Sequence, residues 1–395
     1  MRVTFVVPPD TLSGGIKVAL IHARALARKG HDVRIVSPSW PRLSVVQKVR
    51  YFVKGKGWPV DTPHPILPLE GTGITRCVLD RYRPVVDSDV DDGDVVVATW
   101  FETAHWVNAL SSSKGAKVHL IQHHEIFDYL PVDRCRATYR LPLHKVAVSR
   151  WLKETMAAEY GDRTVDLVPN SVDRAQFFAP ARGKQGRPTI GLLYSSVPFK
   201  GLDVALEGIR LVARRVPGLR IVAFGSEQIR PHLPLPAESD FHYRPPQERI
   251  RQLYAGCDVW LTASRSEGFN LPALEAMACR TPVVSTRTGW PEEAIVPGEN
   301  GLLVDVDDGL ALAAALERIL TADEKDWRIL SENAYLTSSR GSWHESADLF
   351  EQALVHALRR AARGEIAGSC QGPDLLDAGA GEPHRVPAEA IVKKP

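Results

Sequence analysis

Cysteine is scarce in this chain of 395 residues: Cys77, Cys135, Cys257, Cys279 and Cys370 are the only five, and no two form a C-x-x-C pair. That excludes a disulfide framework and a zinc knuckle and fits a reducing compartment. Excess charge is missing too, since 49 Lys and Arg against 47 Asp and Glu leave +2, so nothing sequence-wide recommends nucleic acid as a partner. Long hydrophobic runs are absent: no stretch approaches the roughly 18 uninterrupted apolar residues of a membrane span. Met1 to Pro9 also lacks the apolar core and small-residue cleavage site of a secretory leader, and a cytoplasmic location is expected. The turn after the first apolar run, PPDTLSGGIKVAL, lacks the G-x-G-x-x-G spacing of a dinucleotide site, which counts against an NAD oxidoreductase.

What is present is the grammar of a soluble α/β protein. At roughly 150 residues per domain the length predicts two or three cores. Short β-branched runs at Val3 to Val7, Val33 to Val36, Val95 to Ala98, Val118 to Ile121 and Val146 to Val148 are separated by helix-length patterns, the first of them Ile16 to Arg28. A second series follows at Ile190 to Tyr194, Ile221 to Phe224, Val259 to Thr262, Val283 to Ser285 and Gly301 to Val304. Unalternated apolar runs suit strands buried on both faces of a parallel sheet. The reading is α/β, with two Rossmann-like, doubly wound domains facing a central cleft. Residues 1–183 are expected to form the first domain and 184–341 the second. Residues 342–364 read as an amphipathic helix packing back on the first domain, and 365–395 as a disordered tail.

The chemistry concentrates in SRSEGFNLPALEAMA, Ser264 to Ala278, which follows one of these strands and opens a helix near Pro272. Gly268 and Asn270 suit a tight turn there. A helix starting at the carboxyl end of a parallel strand directs free N–H groups toward an anion, and Glu267 and Glu275 offer acceptors for sugar hydroxyls. Surface charge on a loop and helix is the plain alternative.

This stretch, with the longer EGFNLPALEAMACRTPVV, resembles the retaining glycosyltransferases of family 4, which have the two-domain GT-B fold. Gly289, Glu293, GENGLLV at Gly298 to Val304, AVSRWLKETM at Ala147 and VPNSVD at Val168 to Asp173 extend the resemblance over most of the chain. By that resemblance Glu275 holds the ribose, Glu267 a sugar hydroxyl, and the backbone around Gly268, Phe269, Asn270 and Leu271 the diphosphate and sugar. The nucleotide-sugar is then a substrate and no cofactor is expected.

In SSVPFKG, Lys200 stands where the family has a lysine that neutralises the leaving diphosphate, whereas Ser195 occupies the place of its arginine. Either Arg265, Arg244 or another basic group then substitutes, or catalysis relies more on Lys200 and helix dipoles. Arg280 and Trp290 stand where the family has glycine. Gly14 and Gly15 become part of the active cleft, and His123, with His124 as second choice, presents a ring to the donor sugar. A zinc site from His119, His123, His124 and Glu125 is disfavoured because strand neighbours alternate faces, and no metal is expected. The implied enzyme is a retaining, metal-independent hexosyltransferase, with catalytic His123, Lys200 and Glu267, acting on a glycan, lipid-linked or small-molecule acceptor in polysaccharide or glycoconjugate biosynthesis. A GT-B sugar-nucleotide epimerase and a catalytically silent sugar-nucleotide-binding protein are the rivals. Finally, residues 41–60 carry five positive charges and no negative one among apolar residues, which suits either a helix at the inner, anionic face of a membrane or a lid on the cleft.

Overall fold

Every strand of both sheets runs parallel to its neighbours in the computed structural model, which describes residues 1–9, 14–40, 45–53 and 69–366. The chain falls into two compact units. The first comprises Met1–Val148, Lys153–Val168 and, among the described residues, 347–366; the second comprises Ser149–Leu152 and Pro169–Ser346.

The elements of the first sheet and its connections are β1 (Arg2–Val6), α1 (Gly14–Arg28), β2 (Asp32–Ser37), α2 (Val45–Val53), β3 (Thr75–Val78), β4 (Val95–Ala98), α3 (Phe101–Ala109), β5 (Ala116–Ile121), α4 (Val132–Thr138), β6 (His144–Ala147), α5 (Arg150–Tyr160) and β7 (Asp166–Leu167). The sheet order is β3-β2-β1-β4-β5-β6-β7. β4, reading VVVA, and β5 are buried at every residue, as apolar strands without alternation must be when helices cover both faces. The first helix begins at Gly14, earlier than its apolar periodicity alone suggests, so Gly14 and Gly15 form its first turn.

The second unit runs β8 (Thr189–Leu193), α6 (Leu202–Ala213), β9 (Arg220–Gly225), β10 (Asp240–Tyr243), α7 (Gln247–Ala255), β11 (Val259–Thr262), α8 (Leu271–Ala278), β12 (Val283–Thr286), α9 (Trp290–Ala294), β13 (Gly301–Val304), α10 (Gly309–Thr321) and α11 (Glu324–Ser338). Its sheet order is β10-β9-β8-β11-β12-β13. One continuous core under this sheet joins Ile190, Leu192, Leu206, Ile209, Leu316 and Trp327. A last helix, α12 (Trp343–Ala362), packs in the first unit, where Phe350 stacks on His22 and Phe5 with ring centroids 4.4 and 6.0 Å away, and Glu351 meets His31 at 2.7 Å.

The units divide at Val168, before the expected boundary at 183. The polar residues on the near side of that expected boundary are structural in the second unit. Arg182 donates to the Cys257 carbonyl (2.6 Å) and Thr281 Oγ1 (2.8 Å), and its guanidinium lies 4.7 Å over the Trp327 ring. Arg174 donates to the carbonyls of Ser339 and Gly341. At the other end, Glu365 pairs with Arg360 and Arg363 and Ile366 is buried, so these two residues are ordered rather than part of a tail; 367–395 lie outside the described residues.

Arg280 shows how a departure from the family pattern is accommodated. It follows α8 with φ 59°, a left-handed conformation that costs a residue with a Cβ about 1 to 2 kcal/mol. Three contacts offset the strain: Nε donates to the Ala179 carbonyl (3.1 Å), Nη1 pairs with Glu332, and the guanidinium stacks 4.1 Å from the Tyr335 ring centroid.

Candidate functional site

In the second unit the strand order reverses at β8, which has β9 on one side and β11 on the other. Ligands of open parallel sheets bind outside the carboxyl ends at such a point. The segment leaving β8 makes a short helical turn, Pro198–Lys200, and ends at Gly201 with φ 61°. A Cβ there would lie 1.9 Å from the Ala263 carbonyl oxygen, so only glycine lets this turn press against the chain leaving β11. Arg265 fastens the same two segments. Its N–H donates to the Phe199 carbonyl (2.7 Å), and its guanidinium reaches the Pro198 carbonyl, Asp203 and Asp307.

The turn delivers Lys200 to Glu267. Lys200 Nζ donates to Glu267 Oε1 at 2.7 Å, and Ser264 Oγ donates to the same oxygen at 2.7 Å. Glu267 is buried, and its Oε2 has no hydrogen bond among the described residues, which leaves one carboxylate oxygen to accept from a ligand. Ser264, three residues before Glu267 on the same loop, was not singled out by sequence reasoning.

Three residues further on, Asn270 takes the left-handed conformation (φ 78°) that opens α8, whereas Gly268 is not at positive φ. Asn270 Oδ1 caps Ala273 N–H, and Nδ2 donates to Thr262 Oγ1 (3.1 Å). The N–H groups of Phe269, Asn270 and Leu271 meet no acceptor among the described residues and stand at the positive end of the α8 dipole. Glu275, one turn along α8, accepts a 2.7 Å hydrogen bond from the Tyr254 hydroxyl. Burial first, and the neighbouring carboxylate second, raise this phenol well above its ordinary range, so it remains a donor. Behind the turn, Trp290 stacks on Phe269 (5.7 Å, 21°) and donates its N–H to the Phe269 carbonyl. Gly289 keeps this close approach possible, since a Cβ at its φ of 62° would sit 2.9 Å from Glu267 Cβ.

Of the remaining expected residues, one belongs to the second unit and three to the first. Arg244, with φ 46°, follows β10 and donates through Nε to the Ser226 carbonyl (3.1 Å). Gly14, Gly15 and His123 belong to the first unit. There Gln122 Nε2 donates to the Gly15 carbonyl (2.9 Å), tying the start of α1 to the loop after β5 that carries His123. His124 Nε2 lies 2.7 Å from the Tyr160 hydroxyl. Glu125 accepts from Phe101 N–H at the start of α3, and burial raises its carboxyl well above the usual range.

His119 stacks on Tyr139 within β5, and burial lowers its imidazole to about 3. Among the described residues the His and carboxylate group within metal-ligand reach is a different one, His144, Asp166 and His356 in the first unit. Both histidines reach Asp166 Oδ2, at 3.0 and 2.9 Å. Arg360 Nη1 lies 3.1 Å from His144 Nδ1. A guanidinium only donates, so Nδ1 accepts and Nε2 carries the proton it gives to Asp166. Metal ligation through Nε2 would need the opposite tautomer, with an N–H facing Arg360. The cluster is a hydrogen-bond network joining β6, β7 and α12.

Comparison with known proteins followed two halves of the chain. A family model described as Glycosyltransferase Family 4 matches residues 13–176, and one described as Glycosyl transferases group 1 matches residues 188–322. The D-inositol 3-phosphate glycosyltransferase of Acidothermus cellulolyticus is 29% identical over 354 residues, 78% of each chain. That of Saccharomonospora viridis is 34% identical over 203 residues, 46% of each. Among solved structures, sucrose-phosphate synthase from Thermosynechococcus elongatus has a TM-score of 0.67 at 16% identity, covering 91% of this chain and all of that one. Anabaena HepE, solved in complex with UDP, has a TM-score of 0.66 at 16% identity, covering 90% of this chain and all of that one. These structural likenesses establish the GT-B fold.

Proposed function

The chain belongs to the glycosyltransferases of family 4, and from that premise we propose that it is a retaining, metal-independent enzyme moving a hexose-type sugar from a nucleotide-sugar to a glycan, lipid-linked or small-molecule acceptor. The observation that carries the reading is the Lys200–Glu267 pair set beside the open N–H groups of α8, with Glu275 one turn away. Diphosphate on the α8 N-terminus leaves Glu275 to accept from ribose hydroxyls and Glu267 Oε2 to accept from the sugar. As the bond from C1 to the phosphate oxygen breaks, its electron pair goes to that oxygen. Lys200 and the α8 amides stabilise the growing charge, which is the electrostatic work a divalent cation does elsewhere. The acceptor oxygen bonds to C1 on the face the phosphate leaves, and its proton passes to the departing phosphate. His123 serves as hydrogen-bond partner to a donor hydroxyl.

Coupling constants of the product measured by NMR test this reading. The new linkage keeps the donor's anomeric configuration, and activity survives EDTA. An inverted linkage, or a C2-epimerised nucleotide-sugar formed without acceptor, overturns it.

The first unit includes α2. Val46, Val49, Phe52 and Val53 are exposed, and at 100° per residue they share one face, flanked by Lys48 on one side and Arg50 on the other. We propose that this face rests on an anionic membrane that carries or surrounds the acceptor. Among the described residues no helix is long and apolar enough to cross one. Arg42, Lys54, Lys56 and Trp58 of the same basic segment lie outside the described residues.

A further inference from the structure

At the carboxyl end of β9, Glu227 is buried with both carboxylate oxygens occupied. Oε1 accepts from Ser196 N–H (2.6 Å), and Oε2 accepts from Ser196 Oγ (2.6 Å) and from Arg230 Nε (3.1 Å). Ser196 belongs to the turn that carries Lys200, so a buried negative charge stands against the segment assigned to an anionic ligand. On its own it would repel that ligand.

Arg230 answers this charge with one N–H group. Arginine–carboxylate pairs are frequently bidentate, with two parallel N–H groups on one carboxylate. Here Glu227 receives Nε alone, its other acceptor sites are filled by Ser196, and the Nη1 and Nη2 fork has no acceptor among the described residues. The arginine is also held at its backbone. Arg230 N–H donates to the Tyr194 hydroxyl (2.7 Å), which donates to the Leu233 carbonyl (3.0 Å), and Tyr194 is the buried residue just before Ser195. Arg265 is no competitor, because Asp203, Asp307 and Pro198 already engage its guanidinium.

We propose that Arg230 is the second cation of the donor site, its Nη fork gripping a phosphate of the nucleotide-sugar, with Glu227 as the positioning residue that aims it. It would thus supply the charge missing where Ser195 replaces the family's arginine. This rests on the donor reading given above. The inference and that reading can fail separately.

Isothermal titration with UDP, GDP and ADP, each beside its phosphate-free nucleoside, is the test. For the best-bound diphosphate, Arg230→Gln weakens binding about 10- to 150-fold, the loss of hydrogen bonds to a charged group, while nucleoside affinity stays unchanged. Arg230→Lys, which keeps the charge without the fork, recovers part of the loss and guards against misfolding as its cause. Unchanged diphosphate affinity in Arg230→Gln, or equal losses for diphosphate and nucleoside, overturns the inference. If Arg230→Gln has no effect while Glu275→Ala weakens binding, the donor reading stands and Arg230 alone is excluded. If the wild-type protein binds none of the three diphosphates, the donor reading fails and the inference with it.

Discussion

At the residue scale, the proposed reaction gives the two glutamates and the lysine of the second unit different work, and substitution separates them. Glu275 accepts from buried Tyr254 and, in the proposed complex, from ribose. Glu275→Ala is expected to weaken nucleoside diphosphate binding about 10- to 150-fold by isothermal titration, as loss of hydrogen bonds to a charged acceptor implies. In the proposed reaction Lys200 faces charge that grows toward the transition state, so Lys200→Ala is expected to lower kcat by more than it weakens donor binding. Equal losses in both would reduce Lys200 to a binding residue. The two glutamates were legible as candidates in sequence because one short motif fixes the spacing of Glu267, Asn270 and Glu275 on the loop, turn and helix that follow β11. Their partners were not. Tyr254 meets Glu275 from α7, and Glu227 meets Ser196 from the next strand, contacts set by sheet order rather than by neighbourhood in the chain. His123, Gly14 and Gly15 were chosen by resemblance, and the structure adds only that Gln122 ties their segments together.

At the element scale, strands such as β4 and β11 were visible as apolar runs, since burial on both faces removes polar residues. Three of the four edge strands, β3, β7 and β10, reading TRCV, DL and DFHY, are incompletely buried and gave no such run, whereas the fourth, β13, reads GLLV and was visible. Near one edge, Lys145 of β6 is buried and its ammonium reaches Asp162 Oδ2 at 2.6 Å, with Thr164 also donating to that carboxylate. Burial opposes ionisation of Asp162, but the bonds from Lys145 and Thr164 outweigh it and hold the carboxyl at about 2. The folded value lies below the unfolded one. Its contribution, about 2 kcal/mol, is therefore complete above about pH 4 and is lost as pH falls through about 2. Asp162→Asn should lower thermal stability at pH 7 and flatten the loss of stability between about pH 4 and 2, both followed by circular dichroism. An unaltered acid profile would show that Lys145 finds another partner.

At the scale of the whole molecule, two parallel-sheet units follow from the repeated strand and helix spacing, and the expected boundary at 183 falls within the second unit, where polar residues such as Arg182 pack. The near-zero net charge hides a local asymmetry: 41–60 holds Arg42, Lys48, Arg50, Lys54 and Lys56 without one acidic residue. In α2 this positive charge borders an exposed face of Val46, Val49, Phe52 and Val53. Such a face meets water at a cost that insertion into a lipid interface removes, and each nearby Lys or Arg adds about 1 kcal/mol on an anionic surface. The full chain should therefore sediment with phosphatidylglycerol vesicles at low salt and much less with phosphatidylcholine vesicles. Replacing Lys48, Arg50, Lys54 and Lys56 by Gln should weaken that binding by on the order of 4 kcal/mol, about a thousandfold, and raised salt should mimic the variant. Phe52→Ser separates the apolar contribution, weakening binding without changing its salt dependence. If wild-type protein never sediments with anionic vesicles at low salt, and the Gln variant instead changes KM toward a soluble acceptor analogue, then α2 acts on the acceptor itself and no membrane is involved.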